Sequence, residues 1–244
     1  MISLFFDTGA RRTPEGAVGH LVKAFAAGTA VWTVYAAAFS RADSLTLIMT
    51  FLSLMLVLTF VMTGARANSD RDRIPPFDWI MAFLSGVTGI YFVSQAGIIA
   101  QRITLLDPLS TYDVVFASLI LALTIEAMRR TVGVGLTLIV LVFLAYNLFG
   151  DRFDGVLGHG LITYEHFLDI TIFTTDGLFG VPLRVAATYA FLFVFFGTTL
   201  AKAGGSAFFF NIASYLTGRS PGGPAKIAVI SSGLYGTISG SPTS

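Results

Sequence analysis

Leu45-Thr46-Leu47-Ile48-Met49-Thr50-Phe51-Leu52-Ser53-Leu54-Met55-Leu56-Val57-Leu58-Thr59-Phe60-Val61-Met62-Thr63 contains no charged residue and no helix breaker. A helix needs about 20 largely apolar residues to cross the hydrocarbon core of a bilayer, and this stretch is long enough. Working outward from it, Leu21–Phe39, Phe77–Ala100, Val114–Met128 (extended by Thr111 to Asp113), Val132–Phe149 and Leu183–Ala201 have the same character. Pro182 opens the last of them, at a helix start where proline is tolerated. The expected fold is an all-α polytopic membrane protein with about six transmembrane helices.

Composition agrees. The chain is 55% hydrophobic and 12% charged, far from the roughly 25% charged of globular domains. Its mean hydropathy is +0.78. The net charge of +1 gives no reason to expect a nucleic-acid partner. Cysteine is absent, which excludes disulfides and thiolate metal sites. Met1 to Phe6 is apolar, but Arg11-Arg12 follows it and Pro14-Glu15 interrupts, so no cleavable signal is expected.

Charge placement sets an expected orientation. With the N-terminus in the cytoplasm, Arg11, Arg12, Lys23, Arg66, Arg71, Arg73, Arg129 and Arg130 lie inside. Only Arg41, Arg102 and Arg152 lie outside over the first five helices, as the positive-inside bias requires. Lys202, Arg219 and Lys226 then fall on the inner side as well. Trp79, just after Pro75-Pro76, is placed as an interfacial anchor.

Two segments are neither spans nor ordinary loops. Thr163–Gly180 carries Glu165, Asp169 and Asp176 among aromatic and aliphatic residues, and Gly205–Leu216 is apolar but too short to cross. Both are expected to be amphipathic helices at an interface or braced on a bundle. The acids of the first argue for a brace on protein, because anionic headgroups attract lysine and arginine.

Sequences for hydrolysis or ATP use are missing: no H-E-x-x-H, no G-x-S-x-G and no Walker A. The chain is therefore not expected to be an enzyme. His159 and His166, with Glu165 and Asp169, are a conceivable metal cluster set against the plainer reading of a polar loop and brace. Glu126 precedes Arg129 and Arg130 by three and four residues, the spacing of a helix-end ion pair. Gln95 and Asn147, inside the third and fifth spans, are expected to make interhelical hydrogen bonds.

The end of the chain is different in kind. Ile227 to Tyr235 is apolar and runs into Gly236-Thr237-Ile238-Ser239-Gly240-Ser241-Pro242-Thr243-Ser244. Gly236 and Gly240 form a G-x-x-x-G that lets helices pack closely. The same residues, rich in hydroxyls and ended by Pro242, also suit a hard cation or a substrate held by backbone and hydroxyl oxygens at membrane depth. Both readings stay open from the residues alone.

Gly222-Gly223-Pro224-Ala225-Lys226-Ile227-Ala228-Val229-Ile230-Ser231-Ser232-Gly233-Leu234-Tyr235-Gly236-Thr237-Ile238-Ser239-Gly240-Ser241 resembles the first re-entrant hairpin of fused TRAP (tripartite ATP-independent periplasmic) transporter permeases, of the kind served by TAXI-type binding proteins. Tyr164-Glu165-His166, Gly177 through Leu183, Ala187-Thr188-Tyr189 and Phe191-Leu192-Phe193 are similar to that family too. The resemblance covers about Leu161 to Ser244; before residue 150 it rests on helix number, spacing and length.

The resemblance implies a small-subunit-like four-helix region over 1–130, a linking transmembrane helix over 131–150 and the start of a large elevator-type subunit over 151–244. That last part would hold an arm helix (163–180), a span (182–202), an interfacial helix (205–218) and the first half of a re-entrant hairpin (221–244). It implies sodium-driven import of a small organic anion, commonly a carboxylate, delivered by a periplasmic substrate-binding protein, across the bacterial inner membrane. Ser239, Gly240 and Ser241 would supply sodium ligands and, with Thr243, border the substrate. Gly236 would permit close packing of the hairpin arms, and Pro242 would end the helix. Pro242-Thr243-Ser244 departs from the small-residue Ala/Val continuation common in the family. No cofactor other than the coupling ion is implied. The family's large subunit has two inverted repeats, so the chain is expected to be an N-terminal portion that transports only with the remaining half of the permease. A non-transporting scaffold or accessory subunit, completing a site with another chain, is the alternative.

Overall fold

The computed structural model describes residues 8–39, 43–218 and 221–239. Helices dominate: α1 (Gly16–Phe39), α2 (Ser44–Met62), α3 (Pro76–Gln101), α4 (Thr111–Thr131), α5 (Val134–Phe149), α6 (Tyr164–Ile172), α7 (Val181–Val185), α8 (Phe191–Lys202), α9 (Gly205–Thr217) and α10 (Gly223–Ser239). Among the described residues there is no strand, only an isolated bridge between Arg11 and Thr63. Six helices are long and apolar enough to cross a membrane: Gly16–Phe39, Ser44–Met62, Pro76–Gln101, Thr111–Thr131, Val134–Arg152 and Val181–Lys202. These match the spans expected from the sequence, and the chain is a multi-pass membrane protein.

The chain divides into two compact units, Met1–Arg184 and Val185–Ser244. In the first, α2 is the central helix. Ile48, Met49, Leu52, Leu56 and Phe60 are all buried along it. Its closest neighbour is α3, and small residues let the two backbones approach, as they do where membrane helices pack. Ser53 Oγ donates to the Ser85 carbonyl at 3.0 Å. A side chain at Gly89 would collide with Ser53. By contrast, α5 buries only Thr137 and exposes Leu136, Ile139, Val142 and Phe143. An uncovered apolar face of that size belongs against lipid or another protein.

Local chemistry sets the helix ends. Pro76 opens α3, its missing N–H being one that a first turn cannot pair anyway. Ser110 caps α4: its hydroxyl accepts from the Asp113 N–H at 3.2 Å, while the Asp113 carboxylate accepts from the Ser110 N–H at 2.8 Å. Gly133, at φ 104, makes the sharp turn from α4 into α5.

The expected arm helix is shorter than its sequence suggests. Helix α6 stops at Ile172, and 173–180 turns back on it. The Leu178 N–H donates to the Thr171 carbonyl at 2.7 Å, and a side chain on Gly177 would collide with that carbonyl. The turn buries Phe173 and Phe179, whose rings lie 5.7 and 5.4 Å from that of Phe92 on α3. Burial of two aromatic rings has overridden continued helix, and Gly177 and Gly180 make the reversal possible.

The second unit contains α8, α9 and α10. A π-helical turn, Ala186–Ala190, precedes α8, with the Phe191 N–H donating to the Ala186 carbonyl. Gly204, in the left-handed region at φ 93, starts α9. The apolar segment after Gly204 is helical, as α9, over Gly205–Thr217, and α10 packs on α9 and α8. Phe209 of α9 meets Tyr235 of α10 edge-on, ring centroids 6.4 Å apart.

Candidate functional site

The first unit has a polar cluster at each end of its bundle. At one end the N-terminal segment crosses the last turn of α2: the Arg12 N–H donates to the Met62 carbonyl at 2.7 Å, and the Gly64 N–H to the Ala10 carbonyl at 2.8 Å. That backbone path delivers Arg12 to a buried position, where its Nη2 meets Asp78 Oδ2 at 2.5 Å and its Nη1 donates to the Phe60 carbonyl at 3.2 Å. Arg130, near the end of α4, meets the other oxygen of Asp78, Oδ1, at 2.8 Å. Its Nε donates to Glu126 Oε1 at 2.7 Å and its Nη1 to the Thr63 carbonyl at 3.2 Å. Arg129 makes a forked pair with Glu126, both bonds 2.8 Å.

Arg12, Asp78 and Arg130 are all essentially inaccessible to solvent. Buried charge survives only when paired and hydrogen-bonded, so the network ties the N-terminal segment, α2, α3 and α4 into one end. The Arg130 guanidinium also lies over the Phe60 ring, 4.9 Å from its centroid. Sequence reasoning found the Glu126–Arg129–Arg130 part from its spacing. It missed Asp78, whose signal was an acid in the first turn of an apolar span, and it read Arg12 only as a topology determinant.

The other end joins the α3–α4 connector to α6. Arg102 Nε lies 3.2 Å from Asp169 Oδ1, an ion pair without hydrogen-bond alignment. Asp169 Oδ2 accepts from the Leu105 N–H at 2.8 Å. Leu105 sits at φ 67, a left-handed conformation rare for a leucine, and the carboxylate fixes its N–H there. Arg102 also lies over the Phe173 ring, 5.4 Å from the centroid. Nearby, Tyr91 donates to Asp113 at 2.7 Å, and the Ser118 and Tyr164 hydroxyls are 2.6 Å apart. Of the arm acids, Asp169 thus braces protein, as the sequence suggested, whereas Glu165 and Asp176 are exposed.

The conceivable metal cluster does not assemble. No group of three or more potential metal ligands occurs among the described residues. Asp169 is engaged by Arg102 and Leu105, and His159 faces two carbonyls, Gly160 at 2.7 Å from Nδ1 and Tyr146 at 3.0 Å from Nε2. Those carbonyls raise the imidazole pKa above its ordinary value, because only the protonated ring donates to both. The expected interhelical bonds of Gln95 and Asn147 are also not formed among the described residues; Asn147 is exposed. A span face can turn a lone amide to its surroundings, and sequence position gives no direction.

Of the C-terminal residues singled out, Gly236 lies inside α10, and beyond its own helix turn no described atom is within 4 Å of where its side chain would begin. Ser239 is the last residue of α10. Gly240, Ser241, Pro242 and Thr243 lie outside the described residues. Helix therefore persists through Gly233, Gly236 and Ser239, further along the glycine-rich stretch than an early break would allow.

The same half of the chain decides the identity. Residues 119–244 match the family model described as tripartite ATP-independent periplasmic transporter, DctM component. The chain belongs to the DctM family. Neither a curated protein nor a solved structure matches it. The DctM match begins inside α4, takes in the Glu126–Arg129–Arg130 cluster, α5 and the arm, and continues through α10. DctM proteins are the permease components of TRAP transporters, so the chain is a transport protein of the membrane.

Proposed function

We propose that this DctM chain is part of a sodium-coupled permease that imports a small organic anion, a carboxylate in the first instance, handed over by a periplasmic substrate-binding protein. The carrying observation is the family match over 119–244, which includes the glycine- and hydroxyl-rich stretch after Pro221. In this reading Ser239, Gly240 and Ser241 contribute oxygens to sodium and, with Thr243, border the substrate, while Pro242 ends helical geometry. Gly236 leaves room for a second hairpin arm.

The donor set fits the ion. Sodium is a hard cation, and hydroxyl and carbonyl oxygens suit it without a carboxylate. Helix α10 reaches Ser239, and the last carbonyls of a helix carry partial negative charge that favours a cation. An anion sharing the site would then be held partly by the bound sodium, which couples the two energetically.

The mechanism proposed is an elevator. The tip around Ser239–Ser241 moves with the substrate while the first unit, cross-tied at both ends, stays fixed. The N-terminus lies in the cytoplasm and the membrane is the bacterial inner one, in accord with the arginine distribution. The test is uptake into proteoliposomes by the assembled transporter containing this chain, with its binding protein supplied outside. Uptake should follow an imposed sodium gradient, ignore ATP, and fall at least tenfold in Ser239→Ala/Ser241→Ala. Uptake indifferent to sodium, or untouched by the double substitution, would overturn the reading.

A further inference from the structure

The buried network at the Arg12 end carries more positive than negative charge. Arg12, Arg129 and Arg130 are balanced only by Asp78 and Glu126. Arg12 and Arg130 share one carboxylate, and Arg130 Nη2 and Arg12 Nε have no hydrogen-bond partner although both are buried. An uncompensated guanidinium out of water is costly, so an anion brought alongside is favoured.

A place for that anion adjoins the network. A recess of about 400 Å³ is lined by Arg130, Arg11 and Thr131 on one side, and by Met55, Leu58 and Met62 on the other. The Arg11 side chain is exposed, and its guanidinium has no ion pair or hydrogen bond among the described residues. Met55, Leu58 and Met62 recur at the three- and four-residue spacing of one helix face, so the apolar wall continues down α2 along the span. The recess is therefore cationic at the end of the bundle and apolar along its length.

We propose that this recess binds an anionic phospholipid. Its phosphate pairs with Arg11 at the mouth of the recess, in the field of the net-positive network behind it, and an acyl chain lies along Met55 and Leu58. A free phosphate would satisfy the charge but leave the apolar wall unused; a zwitterionic lipid would use the wall but bring its own cation to a site already in excess. Basic pockets between membrane helices take anionic headgroups for the same reason. The inference does not depend on sodium coupling or on any residue after Pro221.

The experiment titrates the purified full chain, in a neutral detergent, with short-chain phosphatidylglycerol, short-chain phosphatidylcholine or inorganic phosphate, and reads binding from intrinsic tryptophan fluorescence and thermal stability. Phosphatidylglycerol should bind at least tenfold more tightly than phosphatidylcholine, and inorganic phosphate should not compete. Arg11→Gln should weaken phosphatidylglycerol about fivefold, the factor equivalent to about 1 kcal/mol per basic residue. Arg73→Gln, an exposed residue outside the recess, should leave it within twofold. Arg11 is exposed, so its variant does not threaten folding as Arg130→Gln would. Equal affinity for the two lipids, displacement by phosphate, or equal losses in Arg11→Gln and Arg73→Gln would each overturn the proposal.

Discussion

The two compact units are built from different materials. The first buries large side chains and whole charges: Phe60, Phe92, Phe179, Ile48 and Met49 share its interior with Arg12, Asp78 and Arg130. The second, over its described residues, buries only Ala187, Gly197, Gly205, Ala213 and Gly223. Its large residues, among them Phe193, Phe196, Phe208, Tyr215 and Val229, are exposed within the unit. Small buried residues bring helix backbones together without interlocking bulky groups. Directional ion pairs, by contrast, specify one arrangement and resist sliding. The first unit is thus tied together by ion pairs at both ends of its bundle, as a frame would be. The second offers a broad apolar exterior, suited to lipid and to further helices.

The sharpest way to break that comparison is to remove the anion on which the frame converges. Asp78→Ala leaves Arg12 and Arg130 buried without their shared partner and should destabilise the first unit by about 3–5 kcal/mol. Thermal unfolding of the purified chain would record it as the largest loss of any single substitution considered. A shift no larger than that of an exposed arginine would mean the network does not hold the bundle.

In the second unit the vulnerable feature is close approach. Ala213→Leu puts a branched side chain at a fully buried alanine of α9 and should cost about 1–3 kcal/mol by overpacking, read from the same unfolding curve. Proteolysis confined to 185–239 would locate the damage.

Asp169→Asn tests the tie between α6 and the α3–α4 connector. It removes the charge facing Arg102 and weakens the acceptor for the Leu105 N–H, and about 1–2 kcal/mol should be lost. Hydrogen exchange should quicken at Leu105 and along 164–172 while the Arg12 end is unchanged.

His159→Gln should have the smallest effect, and one that depends on pH. The histidine pKa is raised in the folded chain, so its contribution is complete below the unfolded value of about 6.5 and disappears as pH rises through the folded one. Wild type and variant should differ at pH 5 and coincide at pH 9. A difference that grows with pH would reverse the assignment.

How much of this was legible in the sequence follows from the range of each interaction. The spans were legible because the bilayer requires long apolar runs, and Leu45–Thr63 has no other stable use. The Glu126–Arg129–Arg130 cluster was legible because its spacing is local. The Arg12–Asp78 pair was not: 66 residues separate the partners, and only the antiparallel return of α2 and α3 brings them together. The length of the arm helix is not legible because apolar residues at 173–180 continue a helical pattern, whereas Gly177 and the packing of Phe173 and Phe179 on Phe92 favour a turn. The hydroxyl-rich tip from Gly240 to Thr243 lies outside the described residues, and Gly236 has no neighbour beyond its own helix among the described residues that would explain it by packing.

The most direct measurement of the central claim, a fixed frame with a moving tip, uses the absence of cysteine from the chain. Gly240→Cys and Ile139→Cys, the latter on the exposed face of α5, would be introduced separately into the assembled transporter. Each would be labelled with a thiol reagent with and without sodium and substrate. The account predicts that labelling at position 240 changes several-fold with the ligands while labelling at 139 stays constant. Equal, ligand-independent labelling at both positions would contradict it.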